Sequence, residues 1–158
     1  MSDNKKATIV VFSGDMDKVF AALIMATGAA AAGMDTTLFF TFWGLNAVKK
    51  GKLTGKGLFG RMMGVMNRGG INRIGLSKFN FGGIGRWMFK KMMRDKGVTR
   101  LDELLELTID LGVKLLACKM SMDVMEVTKD TLIDAVEDVV GVATYMKHAA
   151  ESEVTLFI

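Results

Sequence analysis

Five short apolar runs, with helix-patterned segments between them, constrain the fold of this 158-residue chain more than any other feature. They are ATIVVFS (7–13), TTLFFTF (36–42), VKLLA (113–117), DAVEDVV (134–140) and EVTLFI (153–158). The first three are continuous rather than alternating, the pattern of strands covered on both faces. Strand–helix alternation of this kind argues an α/β fold with an open parallel sheet and helices on both sides. The length is that of one domain, 1–158, and half the residues are hydrophobic, enough for a real core. A single cysteine excludes an internal disulfide and with it a disulfide-stapled scaffold.

The segments between the strands read as helices with definable ends. One runs over 16–32, opened by Asp15 as a cap and stopped near Gly33. WGLNAVKK (43–50) begins a short helix with its cationic end at the C-terminus, where the helix dipole favours it. In TRLDELLELTIDLG, Thr99 is the expected cap, Leu101, Leu104, Leu105, Thr108 and Leu111 form the apolar stripe, and Gly112 ends it. Further helical stretches are expected at 119–126 and in GVATYMKHAAE. The longest uncharged run, 19–34, has sixteen residues. A membrane span wants about 20 apolar residues, so this run reads as a helix buried against the sheet. The polar opening MSDNKK passes straight into a strand, without the apolar stretch of a secretion signal, which makes the cytoplasm the expected compartment.

The middle of the chain has a different texture. Residues 51–85 hold eleven of the eighteen glycines, mixed with Lys, Arg, Met and Phe in no clear period. Residues 49–100 carry fourteen Lys/Arg against one acid, a net +13, whereas the rest of the chain carries −9. The expectation is a Gly/Met-rich basic insertion, 51–96, with broken helical pieces, lying outside the core. A lid over the chain's own pocket, a subunit interface and a docking segment for a membrane surface or an acidic partner all fit it. GRWMFKKMMRDK (85–96) is its most amphipathic stretch.

In open α/β sheets ligands bind beyond the carboxyl ends of the strands. Cys118, the lone thiol, falls at such an end and opens a helix, where unpaired N–H groups favour thiolate over thiol. Lys119 is adjacent and Lys114 is near in sequence. Position alone leaves two readings open, a reactive thiol and a small buried hydrophobe. Ser13, Gly14 and Asp15 follow the first strand, and their N–H groups suit a small anion. Trp43 and Gly44 follow the second strand, and Trp43 suits the wall of a pocket.

The pieces ATIVVFSGDMDKVFAALIMATGAAAAGMDTTLFFTFWGL, KLLACKMSMDVM, LIDAVEDVVG and VATYMKHAAESEVTLFI resemble, in order and spacing, the DsrE/DsrF-like family of small sulfur-handling proteins. ACKMSM and FTFWGL are the specific parts. The resemblance implies a three-layer α/β/α fold with a mostly parallel five-stranded sheet, homo-oligomerisation, and a sulfurtransferase or sulfur-carrier role without a cofactor. It places the family's reactive cysteine on Cys118, which would hold sulfur as a persulfide. Backbone near Lys119, Met120 and Ser121 would stabilise the sulfur anion, with Ser13, Gly14, Asp15, Trp43 and Gly44 shaping the pocket. Its partners would be sulfur donor and acceptor proteins or small thiols, because one cysteine cannot release sulfur as an internal disulfide. The rival is a non-catalytic, oligomeric interaction module that docks through 51–96.

Other classes fit less well. GKLTGKG does not meet the phosphate-loop spacing, and GGIG is not a dinucleotide fingerprint after a strand. Aromatic and basic residues interleave from Lys78 to Phe89, but no nucleic-acid-binding module is recognisable. Met120, Met122 and Met125 near Cys118 suit a core better than a copper(I) site, and His148 has no second histidine with which to pair.

Overall fold

The computed structural model describes residues 4–158; positions 1–3 of the polar opening lie outside the described residues. All five expected strands form: β1 (Lys6–Val11), β2 (Asp35–Phe40), β3 (Lys114–Cys118), β4 (Val136–Val140) and β5 (Val154–Phe157). They make one sheet in the order β4-β3-β2-β1-β5, and every pairing is parallel. Each strand therefore reaches its neighbour by a crossover, and the helices of those crossovers cover both faces.

The helices are α1 (Met16–Ala31), α2 (Leu58–Met66), α3 (Ile84–Asp95), α4 (Leu101–Asp110), α5 (Lys119–Val124) and α6 (Val142–Ala150). On one face, Ile9, Val11, Leu38, Phe40, Leu115 and Ala117 meet apolar residues of α1 and α4. On the other, Val10, Phe39, Leu116 and Cys118 meet Tyr145 of α6, whose ring stacks on Phe39 at 4.5 Å between centroids. Alternate residues of each strand thus serve different layers, which is why these strands read as unbroken apolar runs. Burying one such side chain contributes about 1.5–3 kcal/mol. The long uncharged run lies within α1 and its C-terminal turn, packed on the sheet. Among the described residues no helix is long and apolar enough to cross a membrane.

Several helix ends differ from expectation. Asp15 holds the cap position of α1, but its carboxylate accepts hydrogen bonds from Ser13 Oγ and Lys18 Nζ and caps nothing. The Met16 N–H is instead taken by the carbonyl of Gly75, 2.7 Å away. The cap of α4 is Arg100, not Thr99, and its N–H donates to Glu103 Oε2 at 3.2 Å. Thr108, the polar member of the apolar stripe, is fully buried and donates to the Leu104 carbonyl at 2.7 Å. The segment after β2 is a 3-10 turn, Phe42–Val48. Its lysine end is split: Lys50 is exposed, whereas Lys49 is only 3 % exposed.

The basic insertion is broken into α2, turns, a short 3-10 turn (Phe81–Gly83) and α3, as its glycines suggest. It is also folded onto the domain. Ile74 and Met93 belong to the main core, against the expectation that the whole segment lies outside it. Polar anchors hold it as well: Ser77 donates through N and Oγ to Asp17, Gly70 N donates to the Asn46 carbonyl, and Lys56 N donates to Glu126.

Candidate functional site

Cys118 is the last residue of β3 and the N-cap of α5, as the sequence indicates. Its side chain lies on the α6 face of the sheet, and the residue is only 1 % exposed. Burial pushes its pKa up, yet the net shift is downward from the ordinary thiol value. The donors that outweigh burial are the Ser121 hydroxyl, the Ser121 N–H, the Thr41 hydroxyl and the Met120 N–H. Ser121 is fully buried, and its Oγ lies 2.7 Å from Thr41 Oγ1, so the two hydroxyls hold each other in place beside the sulfur.

The expected cations do not take part. Lys119 pairs with Asp123 one turn along α5, and Lys114 pairs with Asp35 at 3.2 Å from the opposite end of β3. Met120 points outward, 53 % exposed, while Met122 is buried in the core. Ser121 was legible as a backbone contributor, but the Thr41 hydroxyl was missed. The signal available for it was the FTFWGL run, in which Thr41 directly follows the neighbouring strand. Phe42, the next residue, has φ +46. A bulky L-residue in the left-handed region costs about 1–3 kcal/mol and persists only where the surroundings impose it.

The remaining predicted residues gather elsewhere along the same sheet edge. Ser13, Gly14, Asp15 and Trp43 line one polar cavity of about 440 Å³, together with Arg68 and Arg73 of the insertion. Cys118, Lys119, Met120 and Ser121 do not line it. The anion cradle expected after β1 is largely filled from within. Ser13 N donates to the Ile158 carbonyl, Asp15 N to Ser13 Oγ and Met16 N to the Gly75 carbonyl. Gly14 is required by close approach, since a β-carbon there would lie 2.4 Å from the Trp43 carbonyl oxygen. Gly44 is buried, and its N–H donates to the carbonyls of Phe12 and Thr41 at 2.8 and 2.9 Å. It ties the turn that carries Thr41 to β1.

The lowered thiol pKa makes a prediction. Because Cys118 ionises more readily folded than unfolded, its thiolate stabilises the fold as pH rises through the folded value. That contribution is complete above the unfolded value and is lost as pH falls back through the folded one. The melting-temperature difference between wild type and Cys118→Ser should therefore shift in favour of wild type as pH rises from the folded to the unfolded thiol value.

A parallel three-layer α/β/α sheet with a hydroxyl-held thiol at a strand end defines a class of small cysteine-bearing α/β proteins. Within it, the DsrE/DsrF/DrsH-like family model matches residues 3–157, and the chain belongs to that family. It is 46 % identical over 156 residues to YrkE of Bacillus subtilis (strain 168), covering 98 % of this chain and 97 % of that one. It is 34 % identical over 159 residues to the sulfur carrier protein DsrE2 of Allochromatium vinosum, covering 99 % of each. Among solved structures, YchN of E. coli superposes with a TM-score of 0.57 at 14 % identity, covering 98 % of this chain and 99 % of that one. MTH1491 of Methanobacterium thermoautotrophicum gives 0.56 at 12 %, covering 98 % and 100 %. These two likenesses establish the shared fold.

Proposed function

We propose that this protein is a sulfur carrier that holds sulfane sulfur as a persulfide on Cys118. The observation that carries the reading is the polar set around the sulfur: two N–H groups and a bonded pair of hydroxyls with one proton left to donate, which favour a thiolate. Membership of the family and the 34 % identity to a sulfur carrier protein support it. The thiolate attacks the outer sulfur of a donor persulfide R–S–SH. A new S–S bond forms to Cys118, the donor's S–S bond breaks, and R–S⁻ leaves, so no net oxidation occurs. The product, Cys118–S–SH, gives its proton to the departing thiolate or to water, and the anion Cys118–S–S⁻ then meets the same groups until the outer sulfur is reprotonated for transfer. An acceptor thiolate then attacks the outer sulfur and expels the Cys118 thiolate. At 1 % exposure the thiol needs the residues that cover it to open before a donor can reach it. Donor and acceptor are other proteins or small thiols, because no second cysteine exists in the chain. The test is intact-mass spectrometry of protein exposed to a persulfide donor and then to a thiol. Gain of one or more sulfur atoms, followed by their loss to the thiol, is the expected course.

A second reading, docking through the basic insertion, is favoured by its surface. Leu58, Phe59, Met66, Phe79, Phe81 and Trp87 are each more than 60 % exposed in a segment whose charge is strongly positive. Exposed apolar residues among basic ones suit an acidic protein or an anionic lipid surface. Binding to vesicles containing anionic lipid, or to an acidic polypeptide, should weaken steeply between low and physiological salt. Salt-insensitive binding would sink this reading.

A further inference from the structure

Lys49 is the most anomalous charged group in the fold. It is 3 % exposed, yet no carboxylate among the described residues lies within ion-pair distance of its ammonium. Its one hydrogen bond goes to the backbone carbonyl of Asn67, 3.1 Å away. Lysine is almost never buried without a partner, because desolvating an unpaired ammonium costs several kcal/mol. Burial alone holds its pKa below the ordinary lysine value.

The lysine lines a second cavity, of about 330 Å³, between the turn after β2, α2 and the end of α5. Phe42, Trp43, Met63 and Met125 make much of that wall apolar. The wall is held close by glycines. On α2, a β-carbon at Gly64 would lie 1.9 Å from the Thr54 carbonyl oxygen, and one at Gly60 would lie 2.0 Å from Glu126 Oε2. Beneath the lysine, one at Gly69 would lie 2.7 Å from Lys49 Cδ. Glu126 is the acid on the rim, and its Oε2 is already bonded to Lys56 N at 2.6 Å.

We propose that this cavity binds a small organic anion with an apolar body, its acidic group on the Lys49 ammonium and its body among Phe42, Trp43, Met63 and Met125. A largely apolar cavity with a buried cation that no carboxylate pairs is complementary to that chemistry: a neutral apolar ligand leaves the ammonium uncompensated, and Glu126, at the rim, is engaged by Lys56 N. The inference does not depend on sulfur transfer at Cys118.

Phenylacetate and phenylacetamide, which share a body and differ in charge, are suitable probes for calorimetric titration of the full chain. Wild type should bind phenylacetate about tenfold more tightly than the amide, as a charged hydrogen bond contributes. Lys49→Met should reduce that preference to about twofold or less, a residual difference well under 1 kcal/mol. Lys49→Gln, which keeps a donor for the Asn67 carbonyl, should do the same, and it guards against a misfolded methionine variant. Equal affinity of wild type for acid and amide, or no binding of either at millimolar concentration, would overturn the proposal. So would a preference that survives both substitutions, since that binding would lie on the basic surface of the insertion.

Discussion

Cys118→Ser is expected to take up no sulfur under conditions in which wild type gains one or more atoms by mass. The effect is all or none because the chain has no second thiol to substitute for it. Serine keeps nearly the same volume, so the pocket of Val10, Phe39, Leu116 and Tyr145 should stay packed and the fold intact. Its hydroxyl is not ionised in this pH range and cannot act as the nucleophile that persulfide transfer requires. Loss of uptake with an unchanged circular dichroism spectrum therefore isolates the sulfur chemistry. Equal uptake by both proteins would place the sulfur on something other than Cys118 and end the carrier reading. If neither protein takes up sulfur, and the thiol also resists alkylation in the folded state, Cys118 is a core residue and the docking reading gains.

The parts of this protein that were legible in its sequence are those fixed by local patterns. Buried parallel strands leave continuous apolar runs, so β1, β2 and β3 stand within one or two residues of where hydropathy places them. The position of Cys118 at a strand end followed from the same pattern. What was illegible depends on contacts distant in sequence. The thiol's environment is set by Thr41 and Ser121, eighty positions apart, whereas the adjacent Lys119 spends its charge on Asp123. The core role of Ile74, with Ile71 and Leu76 packed beside it, leaves little trace, because three apolar residues in a Gly/Arg stretch are too few to set a period. Lys49 reads as the cationic end of a short helix, and the fold of the insertion over it, residues 67–70 included, makes it buried. The Ser13-Gly14-Asp15 turn lies where the fold rule puts it, but a carbonyl from the insertion takes the Met16 N–H that an anion would use. Local grammar places the strand ends; which of their polar groups remain free is decided by the segment folded over them.

Gly44→Ala should destabilise the fold by about 3 kcal/mol or more, while Gly28→Ala should stabilise it by about 0.5–1 kcal/mol. Both replace a hydrogen by a methyl group, and the opposite signs follow from what the methyl meets. At Gly44 a β-carbon would sit 1.9 Å from the Val11 carbonyl oxygen and 2.7 Å from its carbon. Those are backbone atoms of a strand bonded on both sides, so no rotamer change relieves the overlap. Either β1 moves or the turn moves. If the turn moves, the Gly44 hydrogen bonds to Phe12 and Thr41 lengthen and the Thr41 hydroxyl leaves Ser121. At Gly28, in the last turn of α1, the methyl meets nothing within 4 Å, and the gain is the helix propensity of alanine over glycine. Urea unfolding of the two variants measures both signs. The Gly44 variant carries a second consequence for the site: a turn displaced from β1 withdraws the Thr41 hydroxyl from Cys118, and the thiol should titrate higher than in wild type. If the turn is the part that moves and the thiol still titrates as in wild type, Thr41 is not what lowers the thiol pKa, and Ser121 and the α5 N–H groups are the set that holds the sulfur anion; an unchanged thiol with β1 displaced means that Thr41 has stayed in place.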